Sequence, residues 1–465
     1  MALHSLALGT GPTNNVKMIA ATVAFLVAAL VALRYASHVL RPRPSISLLL
    51  FGSLLVVHVV PMLIYLHWTG PDTLIYEAAL GSVDAEVVKA RILWAMACMF
   101  LSLVAGAEFA HLVAPSRWRR AQRAASRQVS RRLSSIYKAN GLVRRILWIT
   151  AAAMLVVILS EGQPGKIYNY FASGESEIEK ILLRSTDGGT NIYIYNVLLY
   201  SVSTFLTMVL WCAHRANPGD PELRALMWVY FVLIFVGKLG TLSKAPPVIF
   251  LLQLALLSLL LKGKTFNWLS LASLLILAVA MFALIVRLTI PDIEIPNIFN
   301  FLYYRIFDIP NESLIEYFSA FPNALHHGWE YGIFGSLSRS ANEVVLQNYF
   351  AVAEITRGSL LSSSNVLFVG DAWADYEWPG IIVTSTFAGF LVRMIDIYSL
   401  RRGFTDEWAC LIASCAFGVF TMLSTAFSTA LITGGLLLIP VISMTLIGYI
   451  SSKKIDANLR ASGAA

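Results

Sequence analysis

From residue 268 to residue 290 the chain reads WLSLASLLILAVAMFALIVRLTI, with one charged side chain, Arg287, close to its end. In a helix, about 20 apolar residues cover the roughly 30 Å of hydrocarbon in a bilayer. The flanks are as informative as the run. Before it stands KGKTFN (262–267), with Lys262 and Lys264 and no acid; after it stands PDIEIPN (291–297), with Asp292 and Glu294. Lysines on one side of an apolar run and acids on the other predict a membrane crossing and also its direction.

Outward from this stretch, similar runs recur. Spans are expected at about 17–33, 45–66, 91–113, 146–161, 192–213, 225–242, 246–261, 268–290, 379–397, 408–426 and 430–450, eleven in all. Composition agrees: 57% of the 465 residues are hydrophobic and 13% charged, against about 25% charged in a soluble domain. So little polar surface excludes a soluble enzyme, a disordered chain and a disulfide scaffold. The predicted fold class is all-α, a polytopic membrane protein. Residues 1–290 form an eight-helix region, 291–377 one large outer loop, and 378–465 a three-helix region with a short tail.

The basic residues set the orientation. Segments 34–44, 115–145, 214–224, 262–267, 401–407 and 451–465 hold 22 of the 35 Lys and Arg. The opposite loops, 67–90, 161–190 and 291–377, hold 7, against 20 acids. Positive residues stay inside, so the N-terminus is expected outside and the C-terminus inside. Residues 117–145 carry no acid; they read as a cytoplasmic loop lying on anionic headgroups, ahead of a nucleic-acid or partner-docking segment. The four cysteines lie within apolar runs, as small buried hydrophobes. No phosphate-binding glycine loop, metal-ligand spacing or nucleophile elbow appears.

The chemistry is expected in the outer loop. It interleaves aromatics, among them Tyr304, Tyr317, Phe321, Trp329, Trp373 and Tyr376, with polar residues. Flat aromatic faces beside hydrogen-bonding groups suit sugar rings; an interfacial belt with a loop core accounts for the same residues. Six cations, Lys238, Lys244, Arg287, Arg305, Arg339 and Arg357, fall on this otherwise acidic side. Lys238 sits in the outer half of its span, within snorkelling reach of the surface. As a set they suit a lipid-linked phosphate or pyrophosphate; salt bridges to the outer carboxylates are the alternative. His326 and His327 are candidates for a general base; Asp371 and Asp375, four apart and so on one helical face, read either as acid or base groups or as carboxylates favoured by the macrodipole at a helix N-terminus. At the opposite end, Arg393 and its i+3 neighbour Asp396 read as an ion pair or a snorkelled anchor; Glu108 and His111 likewise fall at an inner end, and no chemistry is expected of the four.

These residues carry a resemblance. Tyr304-Arg305-Ile306-Phe307, Pro310, Tyr317, Phe321-Pro322 and Gly328 resemble the outer-loop pattern of Wzy-type O-antigen polymerases, the oligosaccharide repeat-unit polymerases. The run from Phe368 to Gly380, FVGDAWADYEWPG, looks like that family's aromatic loop-to-span junction, and the Gly240–Pro246 turn is similar to its small-basic-small turn. The resemblance covers about 235–400. Lys244 stands where Arg is expected, and Glu377 where Gly is expected after the aromatic.

The resemblance implies glycosyl transfer without metal or cofactor on the outer face of a bacterial inner membrane. The donor is a glycan on undecaprenyl pyrophosphate and the acceptor a hydroxyl of one lipid-linked repeat unit; a chain-length regulator and a flippase are the expected partners. Arg305, Arg339, Arg287 and Lys244, with Lys238, are then the pyrophosphate binders, and Tyr304, Trp373 and Tyr376 line the sugar site. His326 or His327 is the first choice of base, Asp371 the second. The competing functions are an O-antigen ligase, which shares the donor, and a flippase or transporter of lipid-linked sugars.

Overall fold

The computed structural model describes residues 12–39, 45–69, 84–115, 141–172, 193–243, 245–262, 268–289, 295–329, 341, 344–345, 366–400 and 405–445. The chain is all-helical, 88% helix, with no strand among the described residues. In order the elements are α1 (Pro12–Val39), α2 (Ile46–His58), α3 (Val60–Ile64, continued by a π-turn at Tyr65–Thr69), α4 (Ala85–Val113), α5 (Gly141–Ser160) and α6 (Gln163–Ala172). Then come α7 (Tyr193–Val197, continued by a π-turn at Leu198–Val202), α8 (Ser203–Ala216), α9 (Pro221–Leu239), α10 (Ala245–Leu261) and α11 (Trp268–Thr289). The last are α12 (Ile295–Tyr303, continued by a π-turn at Tyr304–Asp308), α13 (Ile309–Ala320), α14 (Phe368–Leu400), α15 (Asp406–Met422), α16 (Phe427–Leu431) and α17 (438–445).

Among the described residues, six stretches are long and apolar enough to cross a membrane: Val16–Ser37, Ile46–Trp68, Ala85–Val113, Val143–Ser160, Tyr193–Ala216 and Phe368–Ser399. Each overlies an expected span. Their outer faces are greasy: on α1, Ile19, Val23, Val27 and Leu30 are exposed. Water would not tolerate such a face, and lipid favours it. These are the helices of a multi-pass membrane protein.

Lipid tails are as apolar as leucine, so the helices associate by close packing and polar contacts. Small residues bring α4 and α14 together: a Cβ at Gly106 would overlap the Thr386 carbonyl, and one at Gly389 the Leu103 carbonyl. Between α10 and α15, the Gln253 amide donates to the carbonyls of Ala413 and Ser414 at 3.1 and 2.9 Å. Helix starts are capped as their sequences dictate. Ser45, Asp84, Asp220 and Thr405 accept from the first-turn N–H groups of α2, α4, α9 and α15.

The Arg393–Asp396 pair is present, at 3.6 Å and almost wholly buried. Asp396 also accepts from the Ile46 and Ser47 N–H groups, at 2.8 and 3.1 Å, placing a carboxylate at the positive end of α2. Arg393 Nε donates to His111 Nε2 at 2.7 Å, which puts the proton of a neutral ring on Nδ1, 3.3 Å from Glu108. All four cysteines are free; Cys212, Cys410 and Cys415 are buried, as expected.

Three features differ from the sequence reading. The described parts of 291–377 are mainly helical, and residues 311–320 of α13 are buried between α4 and α14. Its polar residues led hydropathy to set the segment apart, yet they find polar partners: the Tyr304 hydroxyl donates to Glu312 at 3.1 Å, and His58 pairs with Asn311 at 2.9 Å. The helix expected from 379 begins at Phe368 and breaks at Tyr376–Glu377. The last expected span, 430–450, is broken through 432–437, where Gly435 has φ +82° and Gly434 packs against Gly418, both suited to glycine alone. The basic residues 117–138 lie outside the described residues.

Candidate functional site

The break in α14 organises the site. Tyr376 has φ −143° and ψ 25°, and Glu377 has φ 53° and ψ −133°, a region open chiefly to glycine. This is the position where the family resemblance leads one to expect Gly. Holding Glu there costs about 1–3 kcal/mol, and such strain gathers at functional sites. Pro379 and Gly380 restart the helix; Gly380 lies so close to the Ala372 carbonyl that a Cβ would overlap it.

The turn after α13 lies against this break. Gly328 N–H donates to the Ala374 carbonyl at 3.1 Å, and His327 Nδ1 lies 2.8 Å from the Trp373 carbonyl. A carbonyl only accepts, so Nδ1 carries a proton. The other ring nitrogen, Nε2, lies 3.0 Å from Glu377 Oε1, off the hydrogen-bond axis. The imidazole is fixed by Phe321, stacked at 5.7 Å, and by Trp373, edge-on at 5.3 Å. Glu377 is the open side of the pair, its side chain 46% exposed against 16% for His327.

Below the pair the wall is aromatic and acidic. Trp373 stacks on Phe318 at 4.6 Å, meets Trp378 edge-on at 5.6 Å, and donates from Nε1 to the Phe321 carbonyl at 3.2 Å. The Arg91 guanidinium lies 5.6 Å over the same indole and donates to the Phe318 carbonyl at 3.3 Å. Tyr317 donates to Asp371 Oδ1 at 3.4 Å. Burial first, then the charges of Asp371 and Glu316, hold the Tyr317 phenol well above its ordinary pKa, so it remains a donor. Asp371, Asp375, Glu312 and Glu316 are all buried.

The expected site residues distribute unevenly. His327, Asp371, Trp373 and Tyr376 meet at the break, as does Asp375. His326 is exposed, while its neighbour turns into the cluster. Trp373 needs correction as a sugar platform: it is 2% exposed because Phe318, Trp378, His327 and Arg91 cover it. The exposed rings here are Tyr376 and Trp329. Tyr304 is half-buried on Glu312. Arg287 and Arg305 are both exposed on helices joined by Val286, Ile298 and Leu302, with the Arg305 guanidinium 5.3 Å over Phe301. Lys238 is also corrected: it does not snorkel but is fully buried, its Nζ enclosed by rings of Tyr200, Phe250 and Phe417. Lys244, Arg339 and Arg357 lie outside the described residues.

Sequence reasoning missed Arg91 and passed over Glu377 as a departure. Arg91 opens an apolar run, where an arginine reads as an interfacial anchor; only the fold sets it over Trp373. For Glu377 a signal existed, a charged residue at a position where glycine is expected. Comparisons with protein-family models, curated proteins and solved structures found no match.

Proposed function

We propose that this chain is a membrane glycosyltransferase that joins repeat units carried on undecaprenyl pyrophosphate, at the periplasmic face of a bacterial inner membrane. In this reading the chain crosses eleven times, with its N-terminus periplasmic and its C-terminus cytoplasmic. One observation carries it: His327 and Glu377 lie 3.0 Å apart at a strained helix break, beside the exposed rings of Tyr376 and Trp329, in a multi-pass bundle.

The chemistry asks for such a pair. The acceptor sugar hydroxyl attacks the anomeric carbon of the donor; the new C–O bond forms as the bond to pyrophosphate breaks, and the pyrophosphate leaves with the electron pair. The hydroxyl proton passes to Glu377, which His327 flanks at 3.0 Å. Developing charge on the leaving group needs fixed cations more than a proton, the role of Arg305 and Arg287, with Lys244 and Arg339 by resemblance. Tyr376 and Trp329 offer faces to the sugar rings.

The test uses purified full-length protein, lipid-linked repeat units and EDTA. A ladder of longer lipid-linked glycans is expected, and Arg305→Ala should reduce it. Absence of polymer from folded, monodisperse protein refutes the reaction. If Arg305→Ala and Lys244→Ala both leave it untouched, the cation assignment is wrong. Transfer to lipid A core in place of growth on the polyprenyl carrier would identify a ligase.

A further inference from the structure

Lys238, in the last turn of α9, is 0% exposed, and its Nζ has no hydrogen-bond acceptor among the described residues. Three rings surround it, with centroids 5.4 Å away for Tyr200, 5.1 Å for Phe250 and 5.3 Å for Phe417. Tyr200 and Phe417 are themselves stacked, 5.3 Å apart and 6° from parallel. Ring faces attract an ammonium, but they leave its three N–H donors without lone pairs. A buried charge lacking a partner is among the costliest features a fold carries.

The polar groups around the box are already committed. Thr241 Oγ1 donates to the Lys238 carbonyl at 2.8 Å, and Ser201 Oγ to the carbonyls of Ile432 and Thr433 in the broken segment before α17. The shell therefore fixes the amine in place and supplies it no acceptor among the described residues. Phe250 is buried, whereas Tyr200 and Phe417 are only half-buried, so those two rings form the outward side of the box.

Its level is defined by four helices. Lys238 is one residue from the end of α9, Phe250 five residues into α10, Phe417 five residues before the end of α15, and Tyr200 seven residues past Tyr193. At 1.5 Å per residue all four lie within about 10 Å of the helix ends, where headgroups meet hydrocarbon. A ligand that reaches this depth from the bilayer brings an anion on an apolar tail.

We propose that the Lys238 box binds the phosphate of a membrane lipid. Phosphate oxygens accept from Nζ, and the lipid chain runs over the open edges of Tyr200 and Phe417. The site is built on α9, α10, α15 and the 198–202 turn, not on the α4–α13–α14 cluster around His327, and it does not depend on glycosyl transfer there.

Purified full-length protein is examined by native mass spectrometry with undecaprenyl phosphate, undecaprenol, dioleoyl phosphatidic acid and inorganic phosphate as probes. The wild type should retain one equivalent of phosphate-bearing lipid, and Lys238→Met should weaken this at least roughly tenfold, with Lys238→Arg in between. Retention of undecaprenyl phosphate alone assigns the site to the carrier lipid; equal retention of phosphatidic acid assigns it to membrane phospholipid. Undecaprenol or inorganic phosphate binding as tightly as the phospholipids overturns the proposal, as does wild-type retention by Lys238→Met. Should that variant not fold, a photoreactive lipid phosphate is cross-linked to the wild type. Adducts within 198–202, 245–253 or 413–420 support the site, and adducts elsewhere overturn it.

Discussion

Replacing Glu377 with glycine should make the protein more stable and less active at once. The backbone gain is the relief of the strained conformation, about 1–3 kcal/mol, less about 0.5–1 kcal/mol for the freedom glycine has in the unfolded chain. The side-chain loss is the contact with His327, whose carboxylate partner is 46% exposed; such pairs are worth about 0–1 kcal/mol. Glu377→Ala loses the same contact and keeps the strain, so the glycine variant should exceed the alanine variant by about 1 kcal/mol. The comparison is made by reversible unfolding in mixed micelles titrated with SDS. Polymer growth is followed in parallel, and both variants should be slowed by about 10²-fold or more, the scale of a lost proton acceptor. Glu377→Gln, which keeps shape and strain, should be as inactive as alanine. An alanine variant as stable as glycine would refute the strain argument. A glycine variant with wild-type activity would refute the role of Glu377, leaving the reaction itself standing.

Two further outcomes concern the frame. Asp396→Ala strands Arg393, which is 1% exposed, and frees two N–H groups at the start of α2; a loss of about 3–5 kcal/mol is expected, and the double variant Arg393→Met/Asp396→Leu should recover much of it. Gly106→Val should prevent α4 and α14 from closing, since even a Cβ meets the Thr386 carbonyl. Gly52→Ala, with nothing within 4 Å of the new methyl, should instead be neutral or stabilising by up to about 1 kcal/mol, and the two are compared by yield of monodisperse protein in detergent.

Much of the architecture was legible from local composition. Whether a stretch is helical and apolar enough to cross a membrane depends on its own side chains, so runs such as 17–33 and 45–66 announce themselves without partners. The Arg393–Asp396 pair was legible for the same reason, since spacing along one helix brings the two together. The site was legible in part. Residues at the helix break came forward because charged and aromatic side chains crowd there, and Glu377 because glycine was expected.

Burial and pairing at long range are another matter. Asp371 looks solvent-exposed when counted along the chain, and only folding brings the Tyr317 hydroxyl of α13 to it. Trp373 reads as an exposed platform until Phe318 and Arg91 cover it, and Lys238 as a snorkelling lysine until three rings from three other parts of the chain close around it. Hydropathy is a sum over single residues, so the sequence by itself determined the helices and their apolar faces. The environment of a charge is set by atoms hundreds of residues away, and that only the tertiary structure decided.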